Sequence, residues 1–410
     1  MNTNSATVVD IAVLPEAWDH RAARVVSLCF VVNMLDGMNV LVMSYIAPEL
    51  TRNWSMAASQ ISIVFSAGLV GMALGGFLGG PVGDRVGRRT AIVGALTLMA
   101  VGMFGSSFSR GIFTLCTCRL VVGLGIGTVL PAMAALAGEV APPQYRNYAV
   151  GIVQAGYPLA AVGTGFAAAA ILPVYGWRKL LLGASALTVL LVPLALAIMP
   201  RATRPKPDAA KRLPFRALVS GELRRPTLLL WTAIFSGFMV LYFVVSWIPT
   251  LSIAAGLSEA NAIYAGALYN LGAFVGTVGM SILAIGHPLR RVVPILLVPA
   301  ACAMLIFGSV PMGLALALLT AFIIGATLQG GFNGIYPLCA SLYPAQLRAT
   351  GIGWAMGIGR AGAVFGPLLG GYLISAKASL SILFGTFTIP LLLCSLAVSQ
   401  VGRGVRQGVQ

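Results

Sequence analysis

Apolar residues in this chain run in twelve long blocks separated by short polar breaks. They lie near 23–47, 60–81, 91–109, 112–138, 147–170, 179–199, 227–250, 262–285, 292–310, 312–341, 349–375 and 380–400. Each is close to or above the roughly 20 residues a helix needs to cross the hydrocarbon core of a bilayer. Within lipid a backbone must satisfy its own hydrogen bonds, so open sheet edges are excluded and the blocks predict helices. The expected fold is therefore all-α and membrane-embedded, with twelve transmembrane helices in two six-helix bundles.

The polar breaks divide the chain further. A short N-terminal segment (1–22) precedes a first bundle (23–199), a basic linker (200–226), a second bundle (227–400) and a tail (401–410). The halves echo each other at an offset of 202: Arg88-Arg89 falls on Arg290-Arg291, Gly123 on Gly325, Arg146 on Arg348 and Gly151 on Gly353. Pro48 and Pro249 depart from that offset by one. Ordered pairs at one spacing indicate a duplicated six-helix unit of parallel topology.

Composition narrows the class. Of the 410 residues 58% are hydrophobic and only 9% charged, against about 25% charged in a soluble domain. A water-facing surface cannot be covered with so little charge, which excludes soluble, secreted and disordered proteins. The 26 Lys and Arg outnumber the 10 Asp and Glu, but they sit in short segments between apolar runs without interleaved aromatics, so nucleic acid is not an expected partner. With both termini cytoplasmic, 19 basic residues fall on inside loops and five outside (Arg52, Arg110, Arg178, Lys179 and Lys377), as the positive-inside rule requires. An inner-membrane protein whose linker touches anionic lipid is expected. Asp10, Glu16 and Asp19 leave no basic leader at the start, so no cleaved signal is expected. The six cysteines lack metal-ligand or disulfide spacing and read as small hydrophobes.

Charge inside a span is costly and marks function by default. Three charges sit well within spans: Asp36, Arg119 and Arg360. Asp36 lies in Val32-Asn-Met-Leu-Asp-Gly-Met-Asn39, a polar strip on an apolar helix. A carboxylate removed from water suits reversible proton binding; a permanent salt bridge to Arg119 is the alternative. Arg119 keeps its proton and needs an anion, either Asp36 or a ligand carboxylate. Arg360, among glycines in Gly353-Trp-Ala-Met-Gly-Ile-Gly-Arg-Ala-Gly362, is placed to enter a cavity and pair bidentately with a carboxylate. Gln154, Tyr157, Tyr242, Trp247, Tyr269, Asn270, Gln329, Asn333 and Tyr336 are candidates to view the same cavity, which suits a small flat organic anion. No Ser-His-Asp set, metal-ligand cluster or phosphate loop is present, so an enzyme is not expected, and no cofactor beyond protons is called for.

Gly71, Gly75, Gly79 and Gly83 recur every four residues on the second span and form a bare ridge for tight or sliding helix contact. The ridge runs into Gly80-Pro-Val-Gly-Asp-Arg-Val-Gly-Arg-Arg89. Gly80, Gly83, Asp84, Arg85, Gly87, Arg88 and Arg89 are the gating candidates of this turn, where paired charges could latch two helices. Glu139, Arg146 and Arg348 are gating candidates at the same membrane face. This run resembles the G-x-x-x-D-R-x-G-R-R loop signature of the major facilitator superfamily, and the helix count and linker are similar to that family throughout. The equivalent loop in the second half, Gly286-His-Pro-Leu-Arg-Arg291, keeps the basic pair but has Gly286 in place of Asp84.

Two finer stretches resemble the aromatic acid:proton symporters. Asp36-Gly37 followed by Pro48 is similar to that family's D-G-x-D segment. Tyr343-Pro through Arg348-Ala-Thr-Gly-Ile-Gly-Trp-Ala-Met-Gly-Ile-Gly-Arg360-Ala-Gly to Gly370-Gly371 is similar to its eleventh-helix pattern, and Trp247-Ile-Pro249 to its W-l-P segment. The resemblance implies a proton-coupled importer of a small aromatic carboxylate working by alternating access, with Asp36 coupling the proton and no partner chain required. Asn39 stands where the family usually has a second aspartate, which points to one proton per monoanion. A proton-coupled exporter, or an importer of another organic acid, is the alternative.

Overall fold

Each apolar block satisfies its backbone by coiling on itself, and the described connections between helices are mostly short. A computed structural model of the chain describes residues 19–142, 145–200, 215–343 and 345–401. Most of the N-terminal segment, of the linker and of the tail expected from the sequence therefore lies outside the described residues. The first half contains α1 (His20–Asn53), α2 (Ala58–Val86), α3 (Arg88–Ser107), α4 (Ile112–Val140) and one continuous element, Arg146–Ile198. At 53 residues that element is about 80 Å long, more than twice the core of a bilayer. It breaks at Gly176, whose φ of 71° and ψ of 173° leave the helical region, and so forms two passes, α5 (146–175) and α6 (177–198). A residue with a Cβ would be strained there.

The second half holds α7 (Arg224–Ala254), α8 (Glu259–Gly286), α9 (Leu289–Ser309), α10 (314–342), α11 (Ala345–Ser375) and α12 (Leu380–Gln400). Among the described residues eleven helices are long and apolar enough to span a membrane, and dividing the longest at Gly176 makes twelve passes. Ser258 and Ser379 cap α8 and α12 by accepting from the backbone N–H of Asn261 and Ile382. Helix α10 is not uniform: a π-helical turn, Gly325–Gln329, interrupts it.

The duplication has a geometric counterpart in two glycine seams. A Cβ on Gly123 would stand 2.0 Å from the carbonyl oxygen of Gly68 and 2.9 Å from the nitrogen of Met72. A Cβ on Gly325 would stand 1.9 Å from the carbonyl oxygen of Tyr269 and 3.1 Å from the nitrogen of Ala273. Gly71 on Leu120 and Gly272 on Phe322 form a second matched pair, at 2.2 and 2.1 Å. Helices α2 and α4 thus pack backbone to backbone as α8 and α10 do, which only residues without side chains permit. Gly123→Ala and Gly325→Ala are each expected to cost about 1–3 kcal/mol by forcing these helices apart. Thermal unfolding of the purified protein in detergent tests this, and an unchanged midpoint in both variants would contradict it.

The halves meet through α2 against α11 and α5 against α8. Among the described residues the hydrogen bonds between halves lie toward the end carrying the α1–α2 loop. Arg52 pairs with Glu259, Ser59 N–H donates to Ser375 Oγ at 2.7 Å, and Ser66 Oγ donates to the carbonyl of Val364 at 3.1 Å. Gly371 rests on Ser62 at the same end. The two bundles are therefore closed on each other at that end.

Candidate functional site

The site begins with how α1 seats on α5. Gly37 allows the approach, since a Cβ there would lie 2.6 Å from the carbonyl oxygen of Tyr157, and Asn33 Nδ2 donates to the carbonyl of Val153 at 2.7 Å. These contacts turn the polar strip of α1 inward. Asp36 is fully buried, and among the described residues neither of its oxygens accepts a hydrogen bond. Asn39, one turn further along, is equally buried, and its side-chain amide has no partner.

The charge that acts on Asp36 is that of Arg360, reaching from α11 in the other half. Among the described residues no hydrogen bond or ion pair joins Asp36 to Arg119, so the alternative of a permanent bridge between them is not seen. Arg119 instead donates from Nη2 to the backbone carbonyl of Asn39 at 2.7 Å and from Nη1 to Met103 Sδ at 3.2 Å. The reason is rotational: Arg119 reaches α1 at the turn of Asn39, while Asp36 is coupled across the interface between halves. Tyr157 stands within the field of both Asp36 and Arg360, as do Tyr242 and Tyr269 within that of Tyr157.

Arg360 is half-buried and donates from Nη1 to Tyr242 Oη at 3.2 Å. Its guanidinium carbon lies 5.8 Å from the centre of the Phe238 ring. A ladder of rings continues from there. Tyr242 stacks on Phe238 at 5.8 Å, Phe238 meets Phe332 edge-on at 4.7 Å, and Phe332 meets Tyr336 at 5.6 Å. The second half thus supplies a fixed guanidinium flanked by aromatic faces, and the first half supplies an acid opposite it. Such a set can hold a carboxylate and a flat ring together while a proton is exchanged at the acid.

The remaining candidates divide by their contacts. Tyr157 and Tyr242 belong to the cluster, and Tyr336 closes the ladder with its ring partly exposed. Gln329 donates to Asn333, and Asn333 to Thr277 Oγ1 at 2.8 Å, a polar chain just after the π turn of α10. Trp247 is 1% exposed, donates to the carbonyl of Pro367 at 3.2 Å and meets Phe65 edge-on; its contacts are those of helix packing. Asn270 donates to the carbonyl of Gly266 at 2.8 Å and also stands in side-chain contact with Tyr45 of the first half, and Gln154 is exposed.

At the opposite end from the closed seam, Glu139 accepts from Arg88 Nε at 3.5 Å. The sequence expectation placed Glu139 at the same gate as Arg146; its described partner, Arg88, comes from the α2–α3 turn, where α3 packs along α4. Arg89 donates to the carbonyl of Leu196, Gly87 breaks the chain between α2 and α3 with a φ of 90°, and Arg85 is exposed. Gly80 and Gly83 fall in the last turns of α2, and the side chains of Asp84, Arg146 and Arg348 lie outside what the structure describes. Sequence reasoning missed Phe238 and Phe332, two among 18 phenylalanines with no local mark. It counted Arg52 only as a loop charge and did not see Glu259 as its partner.

The chain is similar over nearly its whole length to proteins of known activity. It is 28% identical to the gallate transporter of Pseudomonas putida, covering 90% of each chain. It is 30% identical to the 3-(3-hydroxy-phenyl)propionate transporter of Escherichia coli (strain K12), covering 88% of this chain and 89% of that one. In structure it is similar to a bacterial homolog of the human lysosomal transporter Spinster in an inward-facing and occupied conformation, with a TM-score of 0.78 at 15% identity over 95% and 98% of the two chains. The model of the Major Facilitator Superfamily matches residues 26–359, and with two six-helix halves around a central charged cluster the chain belongs to that superfamily, as a multi-pass membrane transporter and not an enzyme.

Proposed function

We propose that this transporter carries a small aromatic carboxylate together with one proton, by alternating access of its two halves. The observation that carries the reading is Asp36, unbonded and buried in the first half, facing Arg360 and its aromatic ladder in the second. When Asp36 is charged it is the counter-ion of Arg360. When it takes a proton, Arg360 is left with the hydroxyl of Tyr242 and free N–H donors for a substrate carboxylate. A substrate anion and a proton therefore enter the site as a pair, and loss of the proton returns Arg360 to Asp36 and expels the anion. The ring of the substrate would lie against Tyr242, Phe238 and Tyr336.

The named relatives transport gallate and 3-(3-hydroxy-phenyl)propionate, both phenolic carboxylates, which supports the same substrate class here. With the α1–α2 loop outside, as the distribution of basic residues favours, the closed seam is external and the site faces inward. Asn39 in place of a second acid leaves one proton per monoanion, an electroneutral cycle. The test is uptake of labelled benzoate, hydroxybenzoates and aliphatic acids by cells expressing the protein, with and without a protonophore. Accumulation of an aromatic acid that collapses with the protonophore is the expected result. No accumulation of any acid, with the protein present in the membrane, would overturn the reading.

A further inference from the structure

We infer that Tyr45 is a positioning residue for the transport cycle, whose ring and hydroxyl bolt the two halves together at the closed end and set how often that end opens. Tyr45 belongs to α1, about 14 Å or two and a half turns beyond Asp36 toward the closed seam. It is 2% exposed. Its hydroxyl donates to the carbonyl of Ala161 on α5, in its own half, at 3.5 Å. From the other half, the side chain of Asn270 on α8 stands against the same hydroxyl. A phenolic oxygen that gives its proton to one half keeps lone pairs for the other. Asn270 Nδ2 gives one N–H to the carbonyl of Gly266 at 2.8 Å and keeps a second for that oxygen.

The ring is held as well as the hydroxyl. A Cβ on Gly266 of α8 would lie 2.8 Å from Tyr45 Cε1. One on Gly165 of α5 would lie 2.9 Å from Tyr45 Oη and 2.8 Å from the Cβ of Ala267. Bare glycines on α5 and α8 thus let a first-half tyrosine lie against second-half backbone where those two helices meet. The ion pair at the same end, Arg52 with Glu259, joins side chains 60% and 55% exposed, which water screens. Tyr45 and Asn270 are both buried, where water does not compete for their contact, so it is the stronger restraint. Swinging this end open draws α8 away from α1 and α5. The bond to Ala161 then survives within the first half, while the contact with Asn270 breaks and the ring leaves Gly266. The inference rests on alternating access of the two halves, not on the identity of the substrate.

The experiment is the rate at which N-ethylmaleimide labels Ser62→Cys in the purified full-length protein, less the labelling of the chain without that change. Ser62 is 1% exposed and lies in the closed seam beside Gly371, so the rate follows the population opened at this end. Tyr45→Phe keeps the ring and should raise the rate about two- to tenfold, the range of one lost hydrogen bond. Asn270→Ala should do the same, and the two together no more than either alone. Gly266→Ala, which displaces the ring and spares the hydroxyl, should raise it as well, so that a folding defect in one variant does not decide the matter. Ser375→Trp, wedged into the seam at Ser59, is the control for opening. Labelling in that control with unchanged rates in Tyr45→Phe and Gly266→Ala overturns the proposal alone. No labelling even in the control overturns alternating access, and the proposal with it. A rise in Gly266→Ala without one in Tyr45→Phe or Asn270→Ala overturns the role of the hydroxyl and leaves the bolt to the ring.

Discussion

Asp36→Asn is expected to abolish accumulation of the acid against its gradient while preserving exchange of internal for external substrate. Asparagine has the shape of the protonated acid and no charge, so Arg360 remains available to the substrate in both orientations of the halves. With one proton carried per anion, an outside pH one unit below the inside supplies about 1.4 kcal/mol, a roughly tenfold accumulation. In the variant that ratio should fall to about one, since no proton moves with the anion. The check is accumulation at imposed pH gradients in proteoliposomes, with counterflow measured beside it. Retained pH-driven accumulation would place the coupling group elsewhere, and loss of both activities would assign Asp36 to binding or folding.

Arg360→Lys is expected to raise the concentration for half-maximal transport roughly 10- to 100-fold, the equivalent of about 1.5–3 kcal/mol for a lost charge-assisted hydrogen bond. Lysine retains the charge but not the planar fork that grips a carboxylate, spans to Tyr242 Oη and lies against Phe238. It also offers Asp36 a weaker partner, so the pH dependence of transport should shift along with the affinity. A lysine variant with unaltered affinity would mean that the carboxylate is held by a group other than Arg360.

The twelve passes were legible in the sequence because lipid imposes contiguous apolar stretches of fixed length, a constraint local to each block. The same holds for the pass break between α5 and α6, where the gap between the fifth and sixth blocks, residues 171–178, brackets Gly176. The duplication was legible too, since Gly123 and Gly325, which let α4 approach α2 and α10 approach α8, recur at the offset of 202. The intramembrane charges stood out for the energetic reason that nothing else retains a charge there. Asp36, Arg119 and Arg360 were thus marked as functional candidates without any knowledge of their partners.

Which of the arginines answers Asp36 was not legible. That depends on the rotation of α1 against α5 and on the docking of the two halves, which place Asp36 within the field of Arg360 from α11 and turn Arg119 onto the carbonyl of Asn39. The ring ladder of Tyr242, Phe238, Phe332 and Tyr336 is likewise assembled from α7 and α10, and in sequence its members look like any other apolar filling. Trp247, conspicuous in sequence, is consumed by packing on Pro367 and Phe65. The seam closed by Arg52 and Glu259 joins opposite halves. Sequence alone determined the class, the count of passes, the internal repeat and the set of costly charges, because each follows from the demands of lipid on a local stretch. Tertiary structure decided the pairing of those charges and the end at which the halves close, because both arise where helices distant in the chain are brought face to face.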